Sequence, residues 1–117
     1  MIEELVSHVF AMRNAAHTAH WATKSFSEHS ALCSFYDGLI DRIDAIVEAY
    51  QGWFGLIGEV RILMMPKDDI TSKIRDELAW IATNRSKIAK NNTMIENLID
   101  ELMQHYSSTH YKLVNLK

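Results

Sequence analysis

The sequence predicts an all-α protein, an antiparallel bundle of four helices in a single domain that covers residues 1–117. The chain has 117 residues, which is enough for one domain and too few for two. Hydrophobic residues make up 48% of it and charged residues 23%, so the chain can bury a core. One proline and four glycines are a scarcity of helix breakers that favours long helices over a many-stranded fold.

Four segments repeat apolar residues with the period of an α-helix. They run from about residue 2 to 24, from 27 to 50, from 70 to 90 and from 93 to 116. The stripes predicted to face the core are Ile2, Leu5, Val9, Ala16 and His20 in the first segment; Leu32, Phe35, Leu39, Ile43, Ile46 and Tyr50 in the second; Ile70, Ile74, Leu78, Ile81 and Ile88 in the third; and Ile95, Leu98, Leu102, Tyr106 and Leu113 in the fourth.

Polar residues mark the predicted starts of three helices. Ser25 with Glu28, and Thr93 with Glu96, have the spacing of capping boxes, in which the first side chain accepts a hydrogen bond from a backbone N–H three residues on. Asp68 or Asp69 is expected to cap the third segment.

The connections between the segments differ in length. Two are short and therefore predict antiparallel neighbours, whereas residues 51–69 form a long link that permits a crossover along the bundle. This combination is the ferritin-like arrangement, with a long crossover between helices two and three. We expect the crossover to contain a short helix and to pack four of its apolar side chains against another part of the protein: Trp53, Phe54, Leu56 and Ile57.

Composition excludes several classes of function. The net charge is −3 and no basic tail is present, which argues against a nucleic-acid-binding protein. No apolar run reaches the 18 or so residues that a membrane span needs, and Met1-Ile2-Glu3-Glu4 does not begin a signal peptide. Cys33 is the only cysteine, so no internal disulfide can form and a cytoplasmic location is expected.

An acidic face and a set of histidines are the candidate metal ligands. Asp37, Asp41, Asp44 and Glu48 follow one another at spacings of four, three and four, opposite the core stripe of their helix. Alone they are either a solvated helix face or part of a carboxylate-rich metal site that another chain completes. His17, His20 and His29 precede them, whereas His105 and His110 on the fourth segment are expected at the surface.

The order of these residues resembles a known family. The stretches His20-Trp21, Phe26-x-x-His29 and Leu39-Ile40-Asp41-x-x-Asp44-x-x-x-Glu48 resemble the ferroxidase region of the Dps mini-ferritins. The resemblance implies a homo-oligomer that binds iron, or zinc or manganese, between two subunits and has a ferroxidase-like activity. The metal ligands implied are His20 and His29 of one subunit and Asp44 and Glu48 of its two-fold mate. Cys33 stands where that family has an aspartate.

The chain also resembles small phage-encoded helical proteins that carry the same His-Trp pair and the core Phe-Tyr-Asp-Gly-Leu-Ile-Asp. This second resemblance implies a bacterial or phage-infected host cell. The alternative function is a non-catalytic oligomer that sequesters a small nucleotide-derived host immune signal between its subunits, an anti-defence sponge. A third hypothesis is a protein–protein adaptor. Stacking and charge pairing point to these candidate ligand-binding residues: Arg13, His17, Trp21, Tyr36 and Trp53, with Trp80 on the third segment.

Overall fold

The computed structural model describes residues 1–66 and 68–117 of the chain. Within these residues every element of regular secondary structure is an α-helix. The helices are α1 (Ile2–Ala22), α2 (Phe26–Asp37), α3 (Leu39–Phe54), α4 (Ile70–Ile88) and α5 (Thr93–Asn115). Because α2 and α3 follow each other directly, the chain forms four helical rods, as the apolar stripes predict.

The second rod, predicted as one helix, is broken at Gly38. The N–H of Gly38 is shared between the carbonyls of Ser34 and Phe35, at 3.3 and 3.2 Å. Two carbonyls at the break are bound by side chains: Phe35 O lies 2.8 Å from His105 Nε2, and Gly38 O lies 2.8 Å from Arg42 Nη1. The prediction that His105 lies at the surface is therefore wrong, because its ring is half-buried against the second rod.

The four rods pack as a square. α1 contacts the second rod and α4, and α5 contacts the second rod and α4. Among the described residues, α1 does not pack on α5, and α4 does not pack on α2 or α3. The long connection therefore joins two rods that are diagonal to each other, rather than two neighbours.

The crossover runs beside α1 from its first turn to its last. The backbone N–H of Gly58 donates to Glu3 Oε2 at 2.8 Å, and the Ser7 hydroxyl donates to the carbonyl of Arg61. The hydrogen bond from Gly58 also lowers the pKa of Glu3. At the far end, Asp69 lies beside the last turn of α1. The crossover thus returns the chain to the end of the bundle at which α2 begins.

The predicted short helix of the crossover is wrong for residues 55–66, 68 and 69, which contain none. Gly55, with a φ of 93°, ends α3 at Phe54, and the chain then extends along α1. Trp53 lies in the last turn of α3 and is 58% exposed, and Leu56 is 89% exposed. The packing prediction is therefore wrong for Trp53 and Leu56. It is confirmed for Ile57, which packs against the core, and Phe54 contacts Lys90.

The predicted core is largely confirmed. Leu39, Ile43 and Ile46 are fully buried, whereas Tyr50, Leu78 and Leu98 are only partly buried at its edge. The other stripe residues are buried too, and so are several residues that the stripes did not include, the largest being Val6, Met12 and Ile99. Tyr106 is completely buried, and its hydroxyl has no hydrogen-bond partner among the described residues.

The helix caps agree with the prediction in part. Ser25 Oγ accepts from the N–H of Glu28 at 3.3 Å, as predicted. The predicted cap at Thr93 is wrong, because Asn92 Oδ1 accepts from the N–H of Ile95 at 3.1 Å and Thr93 is already helical. Asp69 occupies the N-cap position of α4, as predicted. Its backbone is left-handed, with a φ of 50°, and its side chain forms no capping hydrogen bond among the described residues.

None of the helices that the structure describes combines the length with the apolar character needed to cross a membrane.

Candidate metal centre

The junction of α1 and α2 brings His20 and His29 together. His20 is in the last turn of α1, His29 is in the first turn of α2, and only Thr23, Lys24 and Ser25 lie between the helices. The two imidazole rings stack with their centroids 3.6 Å apart and an interplanar angle of 19°. His20 is buried and His29 is half-buried. The pair predicted from sequence is therefore formed within one chain.

Each of these histidines is fixed by the backbone of the other. His20 Nδ1 lies 2.7 Å from the carbonyl oxygen of His29, and His29 Nδ1 lies 2.8 Å from that of His20. Because a carbonyl oxygen can only accept, both Nδ1 atoms carry the proton and donate. In each neutral ring Nε2 is then the atom with a free lone pair. Metal-ligating histidines in proteins are usually held in this way, through a hydrogen bond from the second ring nitrogen.

Asp44 and Glu48 lie one turn apart on α3, and both are exposed. Neither carboxylate forms an ion pair within the part of the chain that the structure describes. Asp44 follows His29 by 15 residues, which corresponds to about 22 Å along the second rod. One chain therefore does not bring the four predicted ligands together, and its described residues contain no group of three or more His, Cys, Asp and Glu that could hold a metal.

Arg13, His17, Trp21 and Tyr36 form a second cluster beside the histidine pair. His17 stacks on Tyr36 with centroids 4.0 Å apart and contacts Trp21 at 4.4 Å. The Arg13 guanidinium lies 5.5 Å from the centre of the Tyr36 ring. His20 contacts the same ring edge-on at 5.4 Å. Four of the six residues predicted to bind a ligand therefore share one surface.

Partial burial governs the acid–base behaviour of this cluster. Desolvation, with Arg13 and His20 adding to it, lowers the pKa of His17 and favours its neutral form. Desolvation also raises the pKa of Tyr36, and a hydrogen bond with the exposed Cys33 thiol adds to this effect. The surface at neutral pH therefore presents uncharged aromatic rings with one cation, Arg13. Trp21 is 69% exposed and leaves its ring free to contact a ligand or a partner.

The structure separates the two other predicted tryptophans from this surface. Trp53 follows Tyr36 by 17 residues, or about 25 Å along the second rod. Trp80 stacks within its own chain on His8, with centroids 3.8 Å apart and an interplanar angle of 8°. Neither residue joins the cluster around Tyr36.

Residues 20–113 match a family of unknown function, DUF5856. The chain belongs to DUF5856. The matched region begins at His20 and includes His29, Asp44 and Glu48, whereas Arg13 and His17 precede it. No curated protein and no solved structure matches the chain.

Sequence reasoning missed one polar pair that the structure reveals. His8 Nδ1 on α1 lies 2.6 Å from Glu77 Oε2 on α4. The two residues are 69 positions apart, so no pattern of local spacing predicts the contact. The only signal in the sequence is that His8 lies next to the apolar stripe of the first segment.

Proposed function

We propose that this protein is a ferritin-like, Dps-type oligomer that binds a metal ion between two subunits. The ligands would be His20 and His29 of one subunit with Asp44 and Glu48 of its two-fold mate. The observation that carries the proposal is the pair of reciprocal hydrogen bonds that fixes both Nδ1 atoms as donors, while neither Nε2 atom forms a hydrogen bond within residues 1–66 and 68–117. The crossover between diagonal rods supports the ferritin-like part of the proposal.

The chemistry of the ligands supports iron(II) or zinc. Imidazole nitrogens and carboxylate oxygens suit these metals, and manganese to a lesser degree. Asp44 and Glu48 repel each other at neutral pH because they are one turn apart on the same helix face. A cation between two copies would remove that repulsion. Cys33 is exposed one turn after His29, and a thiol at this place would be oxidised by peroxide chemistry, so we propose binding rather than turnover.

Exposed aromatic side chains beside the histidine pair support a subunit interface at this surface. Trp21 and Phe26 are both largely exposed, at 69% and 82%, and flank the junction that holds His20 and His29. An interface there would bury them and also place the partner's acidic face against the histidines. Light scattering at micromolar protein is expected to give a mass of at least a dimer, and a monomer mass would refute the inter-subunit site.

The metal site is tested by thermal unfolding with and without metal. Iron(II), under anaerobic conditions, or zinc is expected to raise the Tm of the parent, because a ligand that binds only the folded state stabilises it by mass action. Glu48→Gln should retain the helix content and lose most of that rise. Glu101→Gln, an exposed carboxylate on α5, is the matched control and should respond like the parent. A parent Tm that does not move with either metal rules the site out.

The cluster of Arg13, His17, Trp21 and Tyr36 supports the second candidate, sequestration of a small nucleotide-derived signal. Stacked rings and one guanidinium are suited to a nucleobase and a phosphate. Protein purified from infected or uninfected bacterial cells and denatured by heat would then release a nucleotide, detected by anion-exchange chromatography. Arg13→Ala should reduce the amount released. Recovery of no nucleotide, together with a metal-dependent Tm, favours the metal-binding function.

A further inference from the structure

A small pocket lies on the opposite flank of α1 from the histidine pair, beneath the crossover. Its volume is about 170 Å³. α1, α4 and the crossover each contribute to its wall. The lining residues are Ser7, His8, Ala11, Leu63, Met64, Met65, Pro66 and Glu77.

His8 is held rigidly at this pocket. Its Nδ1 lies 2.6 Å from Glu77 Oε2, and its ring stacks on Trp80. The Glu77 side chain is only 13% exposed and that of His8 is 32% exposed. Among the described residues, the other ring nitrogen of His8, Nε2, forms no hydrogen bond. A carboxylate that accepts from one ring nitrogen while the second stays free is the usual support of a metal-ligating histidine.

Two consecutive methionines of the crossover, Met64 and Met65, line the same pocket as this histidine. Met65 is half-buried and packs against the core, so its position is set by the bundle. Met64 is 99% exposed, so its thioether can turn toward the pocket without breaking a packing contact. The hydrogen bond from Ser7 to Arg61 ties the crossover to α1 just before the two methionines. Two methionines and one histidine thus line a single cavity.

We propose that this pocket is a copper(I) site in which His8 Nε2 and the thioethers of Met64 and Met65 are the ligands. Thioether sulfur is a soft donor that selects copper(I) over iron(II), zinc and manganese, and imidazole binds copper as well. Glu77 acts as a positioning residue, because its carboxylate orients His8 and raises the basicity of the ring. The site uses none of the residues of the proposed inter-subunit metal centre.

The test is an anaerobic titration with copper(I) in competition with bicinchoninate, whose copper complex is coloured. All proteins carry Cys33→Ser, because the exposed thiol is itself a copper(I) ligand. The Cys33→Ser protein is expected to take up one copper(I) per chain. Met65→Leu conserves side-chain volume and removes one donor, so its affinity should fall by tenfold or more, whereas Met94→Leu, an exposed methionine on α5, should leave the affinity unchanged.

Two further measurements separate a metal site from a structural role. Glu77→Gln should lower the copper(I) affinity by about 10–100-fold, the range for outer-shell partners of a ligating histidine. Copper(I) should also change the fluorescence of Trp80, and Trp80→Phe should abolish that response while uptake persists. Zinc should not compete for the pocket. Absence of copper(I) uptake by the Cys33→Ser protein, or uptake that is unaltered in both Met65→Leu and His8→Gln, overturns the proposal.

Discussion

Replacing Gly38 by alanine tests the break in the second rod, because two general rules give opposite signs for its effect. Gly38 has an ordinary right-handed conformation, with a φ of −88°, so an alanine fits the backbone. Helix propensity alone then predicts a stabilisation of about 0.5–1 kcal/mol. The surroundings predict the reverse, because a Cβ at this position would lie 2.8 Å from both Arg42 Nη1 and His105 Nε2.

The two neighbours differ in how easily they can move. Arg42 meets the new methyl group with the end of a flexible side chain, which can shift at little cost. His105 is half-buried and meets it with the atom that donates to Phe35 O, so relief of the clash breaks that hydrogen bond. A lost hydrogen bond costs about 0.5–1.5 kcal/mol, and leaving the half-buried N–H of His105 without a partner costs about 1–3 kcal/mol, although Phe35 O still accepts from the N–H of Gly38. After the helix-propensity gain is subtracted, we expect a net destabilisation of about 1–2 kcal/mol.

Urea unfolding followed by circular dichroism measures this effect. A slope of about 2 kcal/mol per molar urea places the midpoint of Gly38→Ala about 0.5–1 M below that of the parent. In a His105→Ala background the hydrogen bond is already absent, so adding Gly38→Ala should be neutral or stabilising. A double-mutant cycle gives the coupling directly. Stabilisation by Gly38→Ala in the parent would refute the reasoning.

Two further predictions concern the core and the pH dependence of stability. Leu39→Ala should destabilise the fold by about 2–5 kcal/mol, because Leu39 is fully buried, whereas the exposed Asp41→Ala should cost far less; equal losses in urea unfolding would mean that the buried face of the second rod is assigned wrongly. Desolvation, with Arg42 and Lys112 nearby, lowers the pKa of His105 although its hydrogen bond to Phe35 O opposes this. The unfolded state therefore takes up a proton first as the pH falls, so the contribution of the neutral ring is fully present above its unfolded pKa of about 6.5 and is lost below it. The urea midpoint should fall more between pH 7.5 and 5.5 in the parent than in His105→Gln, and equal falls would contradict this.

The helices whose apolar residues repeat with the helical period could be predicted from the sequence. Burial of Leu39, Ile43 and Ile46 follows from their spacing, because a helix that places one of them inward places the others inward as well. The start of α5 could not be fixed so well. Asn92 and Thr93 are both good capping residues, and only the backbone geometry decides that Asn92 takes the role.

The candidate site also combines features that the sequence predicts with features that only the structure shows. The resemblance selected His20 and His29, and the structure brings them into contact. The exchange of backbone hydrogen bonds between them could not be predicted, because it depends on how the turn around Lys24 sets two helix ends face to face. The prediction that Trp53 belongs to the ligand-binding surface rests on its residue type alone. Trp53 lies at the C-terminal end of α3, far from Tyr36, so the residue type without its position in the fold gives the wrong answer.

The path of the crossover has a consequence for folding. α1 with the second rod, and α4 with α5, are two hairpins whose contacts are close in sequence, and closing such short loops is fast. The extended segment between them is tied to α1 by only a few hydrogen bonds, among them those of Gly58 and Arg61. We therefore expect the hairpins to form first and to dock in a later, slower step. A single cleavage of the crossover should yield two halves, each retaining its own hairpin, that reassociate without the connecting peptide.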